Sequence, residues 1–127
     1  MSLAGLRVLV VEDEAMIAMM VEDFLEELGC VVAGSASRLE DALAKGHTMD
    51  VDVALLDVNL AGQVSYPVAE VLQARAVPFV FTTGYGQAAL PAALQGAHVL
   101  PKPFTLIQLA EALRSIGQGT SRRPSGV

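Results

Sequence analysis

The sequence predicts an α/β protein in which a five-stranded parallel sheet is covered by helices on both faces. Two observations predict this class. The first is that five short apolar runs alternate with segments of helical periodicity between residues 6 and 116, which is typical of parallel strands joined through helices by right-handed crossovers. The second is that the apolar runs are almost unbroken, as in strands buried on both faces. For five strands we expect a doubly wound sheet with the order 2-1-3-4-5.

The predicted strands are short and are bounded by charged or turn-forming residues. Their apolar residues do not alternate with polar ones, which favours burial on both faces over an exposed face. The five strands are predicted at residues 6–11, 30–35, 51–57, 77–83 and 97–101.

The predicted helices are recognised by apolar residues at intervals of three and four. Gly29 and Gly46 follow the first two segments and are read as their C-terminal stops. Ser65 is the expected N-cap of the third, and Pro91 interrupts the fourth, which we expect to be short and mobile. The five helices are predicted at residues 14–28, 39–45, around 68–72, 87–94 and 106–116.

Composition restricts the class of protein. A chain of 127 residues, 53% of them hydrophobic, suits one domain, which we place at residues 1–118 with a flexible tail at 119–127. No apolar run reaches the roughly 20 residues of a membrane span and no signal segment is evident, so we expect a cytoplasmic protein without membrane contact. The net charge of -6 argues against nucleic acid as a partner. The single Cys30 is expected to be a small buried side chain.

Charged and polar residues stand where four of the predicted strands end. Glu12 and Asp13 follow the first strand, Asp57 ends the third, Thr83 ends the fourth and Lys102 follows the fifth. Ligands of doubly wound sheets bind beyond these carboxyl ends, so the side chains should meet in one crevice. Three carboxylates at such short distances repel one another unless they bind a hard cation that prefers oxygen ligands. Among such cations, Mg²⁺ fits this set of ligands best.

A dication, a lysine and a hydroxyl around one carboxylate form a site suited to phosphoryl transfer. Asp57 would be the nucleophile, because carboxylates can form aspartyl phosphates. The bland alternatives are that the acids at residues 12–14 cap a helix, that Asp57 is a turn residue and that Lys102 is a solvated loop lysine. The placement of one such group at each strand end favours the site.

Four short motifs together resemble the receiver domain of response regulators in two-component signalling. They are VEDE (residues 11–14), LLDVN (55–59), TTG (82–84) and PKPF (101–104). The resemblance covers residues 6 to about 116 and implies the flavodoxin-like receiver fold. It also implies a cis peptide between Lys102 and Pro103.

The resemblance assigns roles to the residues that match the motifs. It implies that Asp57 is phosphorylated, that Thr83 is the switch hydroxyl and that Lys102 pairs with the phosphoryl group. It further implies a Mg²⁺ site formed by the carboxylates of Glu12, Asp13 and Asp57 and the backbone carbonyl of Asn59.

Residues 78–86, PFVFTTGYG, resemble the Pro-Phe-x-Phe-Ala-Thr-Gly-Tyr signature of a subgroup of single-domain alphaproteobacterial receivers, with Thr82 in place of alanine. This implies phosphorylation by HWE-type or related sensor histidine kinases or by a phosphotransfer protein. The loop at residues 59–67 lacks the family's Met-Pro and Asp-Gly signals, and Val99 stands where many receivers have a switching aromatic. We therefore expect Tyr85 and residues 84–94 to carry the conformational change.

Three functions compete for this site. The first is a phosphoacceptor switch; with no output domain after the fifth helix, we expect it to signal by protein contact to an unknown downstream partner. The second is a docking module that works without phosphorylation. The third is a magnesium-dependent phosphatase, which is disfavoured because Asn59 stands where such hydrolases use a second aspartate. We expect no enzyme activity beyond self-phosphorylation and dephosphorylation.

Overall fold

The computed structural model describes residues 2–84 and 90–118. The strands are β1 (Arg7–Val11), β2 (Val31–Ala36), β3 (Val53–Asp57), β4 (Asn59–Leu60), β5 (Gln63–Val64), β6 (Phe79–Thr83) and β7 (His98–Pro101). Five of them form one parallel sheet in the order β2-β1-β3-β6-β7, and β4 and β5 form a separate antiparallel hairpin. With the hairpin set aside, the five strands have the predicted 2-1-3-4-5 order.

Four α-helices lie within the described part of the chain. They are α1 (Ala15–Glu27), α2 (Leu39–Thr48), α3 (Tyr66–Ala74) and α4 (Leu106–Gln118). A short 3-10 turn, Ala92–Leu94, lies where the fourth of five predicted helices was expected to end. The preceding residues 85–89, with Tyr85, and the predicted tail at 119–127 lie outside the described residues. None of the helices at residues 2–84 and 90–118 is long and apolar enough to cross a membrane.

Adjacent residues of one strand contribute to different cores. In β1, Val8 and Val10 pack with α1 and α4, whereas Leu9 and Val11 pack with α2 and α3 on the other face. This follows from the alternation of side chains along a strand. The helices therefore cover both faces of the sheet, as the fold class requires.

Two sequence expectations were wrong in detail. The strands β2 and β7 are at the two edges of the sheet, and most of their residues are half-buried or exposed, so they are not buried on both faces. Gly46 does not end α2, which continues to Thr48. A Cβ on Gly46 would lie 3.4 Å from a methyl group of Val68 in α3, which is an ordinary van der Waals contact, so Gly46 is an interior position of α2 that faces α3. Gly29, by contrast, has a φ of +84° directly after α1 and is the predicted helix stop.

Candidate functional site

The predicted acidic residues lie together at the carboxyl edge of the sheet. Strands β1 and β3 pair in parallel with Val11 opposite Leu56, so the residues that follow, Glu12 and Asp57, emerge side by side. One carboxylate oxygen of each of Glu12, Asp13 and Asp57 lies within 4.8 Å of the others. Glu12 and Asp57 are buried and Asp13 is half-buried. Sequence and register thus place three acids in one small volume.

Lys102 joins this cluster from the neighbouring end of β7. Its backbone N–H donates to the carbonyl of Thr83 at 2.7 Å, which fixes the chain where it leaves the sheet. Its Nζ lies 3.0 Å from Oε1 of Glu12 and 3.2 Å from Oδ2 of Asp57. Lys102 is therefore not a solvated loop lysine, because it bridges two buried carboxylates. The peptide bond between Lys102 and Pro103 is cis, as the resemblance implied.

The environment of Asp57 favours its protonated form. Burial is the main cause and the negative charge of Glu12 adds to it, while Lys102 acts in the opposite direction; together they raise the pKa of Asp57 to about 7. The same cluster raises the pKa of Lys102: burial alone would lower it, but the hydrogen bond to Glu12 and the charge of Asp57 outweigh that effect. Lys102 thus remains a cation beside Asp57 at neutral pH.

The pKa of Asp13 is shifted in the opposite direction to that of Asp57. Burial acts to raise its pKa, but the N–H of Ala61, which donates to Oδ2 at 3.0 Å, and further hydrogen bonds outweigh burial and lower the pKa. Asp13 is therefore ionised at pH values where Asp57 is still partly protonated. Neighbouring carboxylates offer the oxygen ligands that a hard dication prefers.

Thr83 and Asn59 complete the site. Thr83 is buried at the end of β6, which pairs with β3 so that Asp57 lies opposite Thr82. Asn59 begins β4, and its N–H donates to Oδ1 of Asp57 at 3.3 Å. A cavity of about 500 Å³ is lined by the polar residues Asp13, Asp57, Asn59, Thr83 and Lys102 together with Ile17 and Met20 from α1.

The capping alternative does not account for the acidic run. Glu14 occupies the N-cap position of α1, but its side chain makes no capping hydrogen bond, and the first turn of the helix contains no acidic residue. Glu12 instead accepts from the N–H of Glu14 at 3.1 Å while its other oxygen contacts Lys102. The first two acids of the run belong to the cluster rather than to the helix.

The chemistry of the donor set fits Mg²⁺. Glu12, Asp13 and Asp57 offer three hard oxygen ligands, and the cavity that Asp13 and Asp57 line has room for a ligand and water. Ala61, whose N–H donates to Asp13, was not predicted as part of the site. Gly62 was the available signal, because two-residue hairpin turns require positive φ and therefore favour glycine.

The fold and the site define a class: a doubly wound α/β domain with an acidic cluster at the point where the direction of strand order reverses. A family model for the response regulator receiver domain matches residues 8–114. The chain belongs to this family, whose members are signalling modules of two-component systems.

Two solved structures support this assignment. The chain is 44% identical to SdrG from Sphingomonas melonis, whose solution structure superposes with a TM-score of 0.78 over 91% of this chain and 98% of that one. It is 25% identical to the receiver domain of PhyR from Erythrobacter litoralis, with a TM-score of 0.77 over 93% of this chain and 94% of that one. Both neighbours share the receiver fold.

A curated relative is longer than this chain. The transcriptional regulatory protein PdtaR of Mycobacterium tuberculosis is 30% identical over 111 residues, which are 84% of this chain and 54% of that protein. The chain therefore spans about half the length of the curated relatives that it matches first.

Proposed function

We propose that this receiver domain accepts a phosphoryl group on Asp57 from a histidine kinase or a phosphotransfer protein and signals by protein–protein contact. The observation that carries the proposal is the position of Asp57: it is buried, 3.2 Å from the Lys102 ammonium, and lies in one cluster with two further carboxylates. A structural turn residue needs neither a cation nor acidic neighbours.

The chemical step follows from these contacts. A carboxylate oxygen of Asp57 attacks the phosphorus of a phosphohistidine, an O–P bond forms, and the P–N bond breaks with its electron pair left on the imidazole nitrogen. Lys102 stays charged and neutralises one side of the incoming phosphoryl group. The buried hydroxyl of Thr83, at the end of the adjacent strand, would donate to a phosphoryl oxygen.

Mg²⁺ would be held by Glu12, Asp13 and Asp57, with the carbonyl of Asn59 as the predicted fourth protein ligand. Bound there, it would neutralise charge on the phosphoryl oxygens and favour the ionised form of Asp57. This matters because the pKa of Asp57 is raised to about 7 and only the ionised carboxylate is a nucleophile.

One relative supports the proposed phosphorylation. SdrG, 44% identical to this chain, has a structure described as its BeF3-activated conformation, and beryllofluoride is a mimic of a phosphoryl group. We extend that property to Asp57. The sequence motif at residues 78–86 adds HWE-type sensor kinases as candidate phosphodonors, and we place the reaction in the cytoplasm. Tyr85 and residues 84–94 remain the proposed output region.

The experiment is phosphorylation by acetyl phosphate with Mg²⁺, read by intact-protein mass spectrometry. The wild type should gain one phosphoryl group, and Asp57→Asn should gain none. Asp41→Asn is a matched control, because Asp41 is an exposed carboxylate of α2. Modification that persists in Asp57→Asn, or that continues unchanged after Mg²⁺ is removed with EDTA, would contradict the proposal.

A further inference from the structure

The loop after β3, which lacks the family's usual sequence signals, forms the β4–β5 hairpin. Asn59 pairs with Val64 and Leu60 with Gln63, and Leu60 is fully buried, which fixes the base of the hairpin to the core. The base of the hairpin is therefore anchored beside Asp57.

The tip of the hairpin is a turn with two residues in the left-handed region. The φ angles are +51° at Ala61 and +89° at Gly62, as two-residue hairpin turns with inverted geometry require. A Cβ on Gly62 would meet no atom within 4 Å, so this glycine serves the backbone conformation rather than close packing. Ala61 has a Cβ and is strained at its φ, so this conformation requires support from elsewhere.

That support comes from the side chain of Asn59. Its Oδ1 accepts a hydrogen bond from the N–H of Gly62 at 2.9 Å, which closes the turn on itself. With the turn closed, the N–H of Ala61 donates to Oδ2 of Asp13 at 3.0 Å, although the two residues are 48 positions apart in the chain. The carboxamide of Asn59 is thus linked to the orientation of the Asp13 carboxylate through two hydrogen bonds and one turn.

We propose that Asn59 is a positioning residue whose side chain, acting through the hairpin turn, orients Asp13 for Mg²⁺. This inference rests on the proposed metal site and gives the Asn59 side chain a role separate from that of its backbone carbonyl. Groups that orient a ligand through hydrogen bonds typically change metal affinity about 10-fold or more when they are removed. The exposed hairpin tip should give a value near the lower end of that range.

The test is Mg²⁺ affinity measured by titration calorimetry. Asn59→Ala removes the carboxamide and keeps the backbone carbonyl, and we expect Mg²⁺ to bind roughly 10-fold more weakly. Asn59→Asp keeps an acceptor oxygen for Gly62 and should retain wild-type affinity or exceed it. Gln63→Ala is the matched control, because Gln63 is exposed on the same hairpin, and its affinity should equal that of the wild type.

The possible results separate this inference from the proposed function. If the wild type binds Mg²⁺ and Asn59→Ala binds it equally well, or if Gln63→Ala loses as much affinity, the positioning role is overturned while the metal site stands. If the wild type binds no Mg²⁺, both the positioning role of Asn59 and the proposed metal site are overturned.

Amide exchange in the metal-free wild type provides a second measurement that needs no variant. The N–H groups of Ala61 and Gly62 should be protected despite their exposure, because each donates a hydrogen bond. Exchange at the rate of an open loop would overturn the positioning role even if Asn59→Ala failed to fold.

Discussion

Removal of the Asp57 charge should stabilise the metal-free protein at neutral and alkaline pH. The pKa of Asp57 is raised from 3.8 to about 7, first by burial and then by the charge of Glu12. Between these two values the folded protein keeps a proton that the unfolded chain has released. The free energy of unfolding therefore falls as the pH rises through this window and levels off above about pH 7. Asp57→Asn cannot ionise and should lack this loss.

The size of the effect follows from the shift. A change of about 3 pKa units corresponds to roughly 4 kcal/mol at about 1.4 kcal/mol per unit, which is an upper limit because relaxation and water penetration reduce the effective cost of a buried charge. We expect the free energy of unfolding of the wild type to fall by about 1–2 kcal/mol as the pH rises through this window. For a domain of this size, this is a difference of roughly 3–10 °C in Tm.

The assay is thermal unfolding followed by circular dichroism in EDTA, near pH 5 and near pH 8. Between these conditions the Tm of the wild type should fall further than that of Asp57→Asn, and Mg²⁺ should restore much of the difference in the wild type only. Asp41→Asn controls for the loss of an exposed carboxylate. If the Tm of the wild type and that of Asp57→Asn changed equally with pH, the prediction would be wrong, because Asp57 would then not have a raised pKa.

Three further predictions concern single residues. Asp13→Ala should weaken Mg²⁺ binding in a calorimetric titration more than Glu12→Ala, because Glu12 is already paired with Lys102 at 3.0 Å; equal losses would contradict this. Ser65→Ala should raise the free energy of urea unfolding by up to about 1 kcal/mol, because the buried Ser65 hydroxyl has no hydrogen-bond partner among the described residues; a loss of stability would show that the hydroxyl caps α3 after all. Ala76→Gly should also raise the free energy of unfolding by about 1 kcal/mol, because Ala76 has a φ of +60° after α3. A lower denaturation midpoint would show that the backbone of Ala76 is not strained.

The sequence predicted those parts of the fold that depend on local periodicity. Strands with continuous apolar runs such as residues 51–57 and the amphipathic first helix were placed to within about two residues. The same pattern could not distinguish edge strand β2 from a central strand, because an edge is defined by which strands pair and not by composition. The expectation for Gly46 was wrong for a related reason: a glycine that ends a helix and a glycine inside its last turn look alike in sequence.

The candidate site was predictable where side chains follow strands. Glu12, Asp13, Asp57, Thr83 and Lys102 lie at or just beyond strand ends, and parallel pairing brings those ends to one edge. The β4–β5 hairpin was not predicted, because its contact with the site is made by the backbone, and the backbone N–H that holds Asp13 is present in almost every residue type.

Because the interior is divided into two cores, residues that are adjacent in the chain need not be energetically coupled. Leu55 belongs to the core beneath α1 and α4, and Leu56 to the core beneath α2 and α3. Truncation of both should cost close to the sum of the single losses, whereas Leu56 paired with Leu72 of α3, in the same core, should show coupling. Evolution can therefore repack one side of the sheet for a new binding partner while the opposite side remains unchanged.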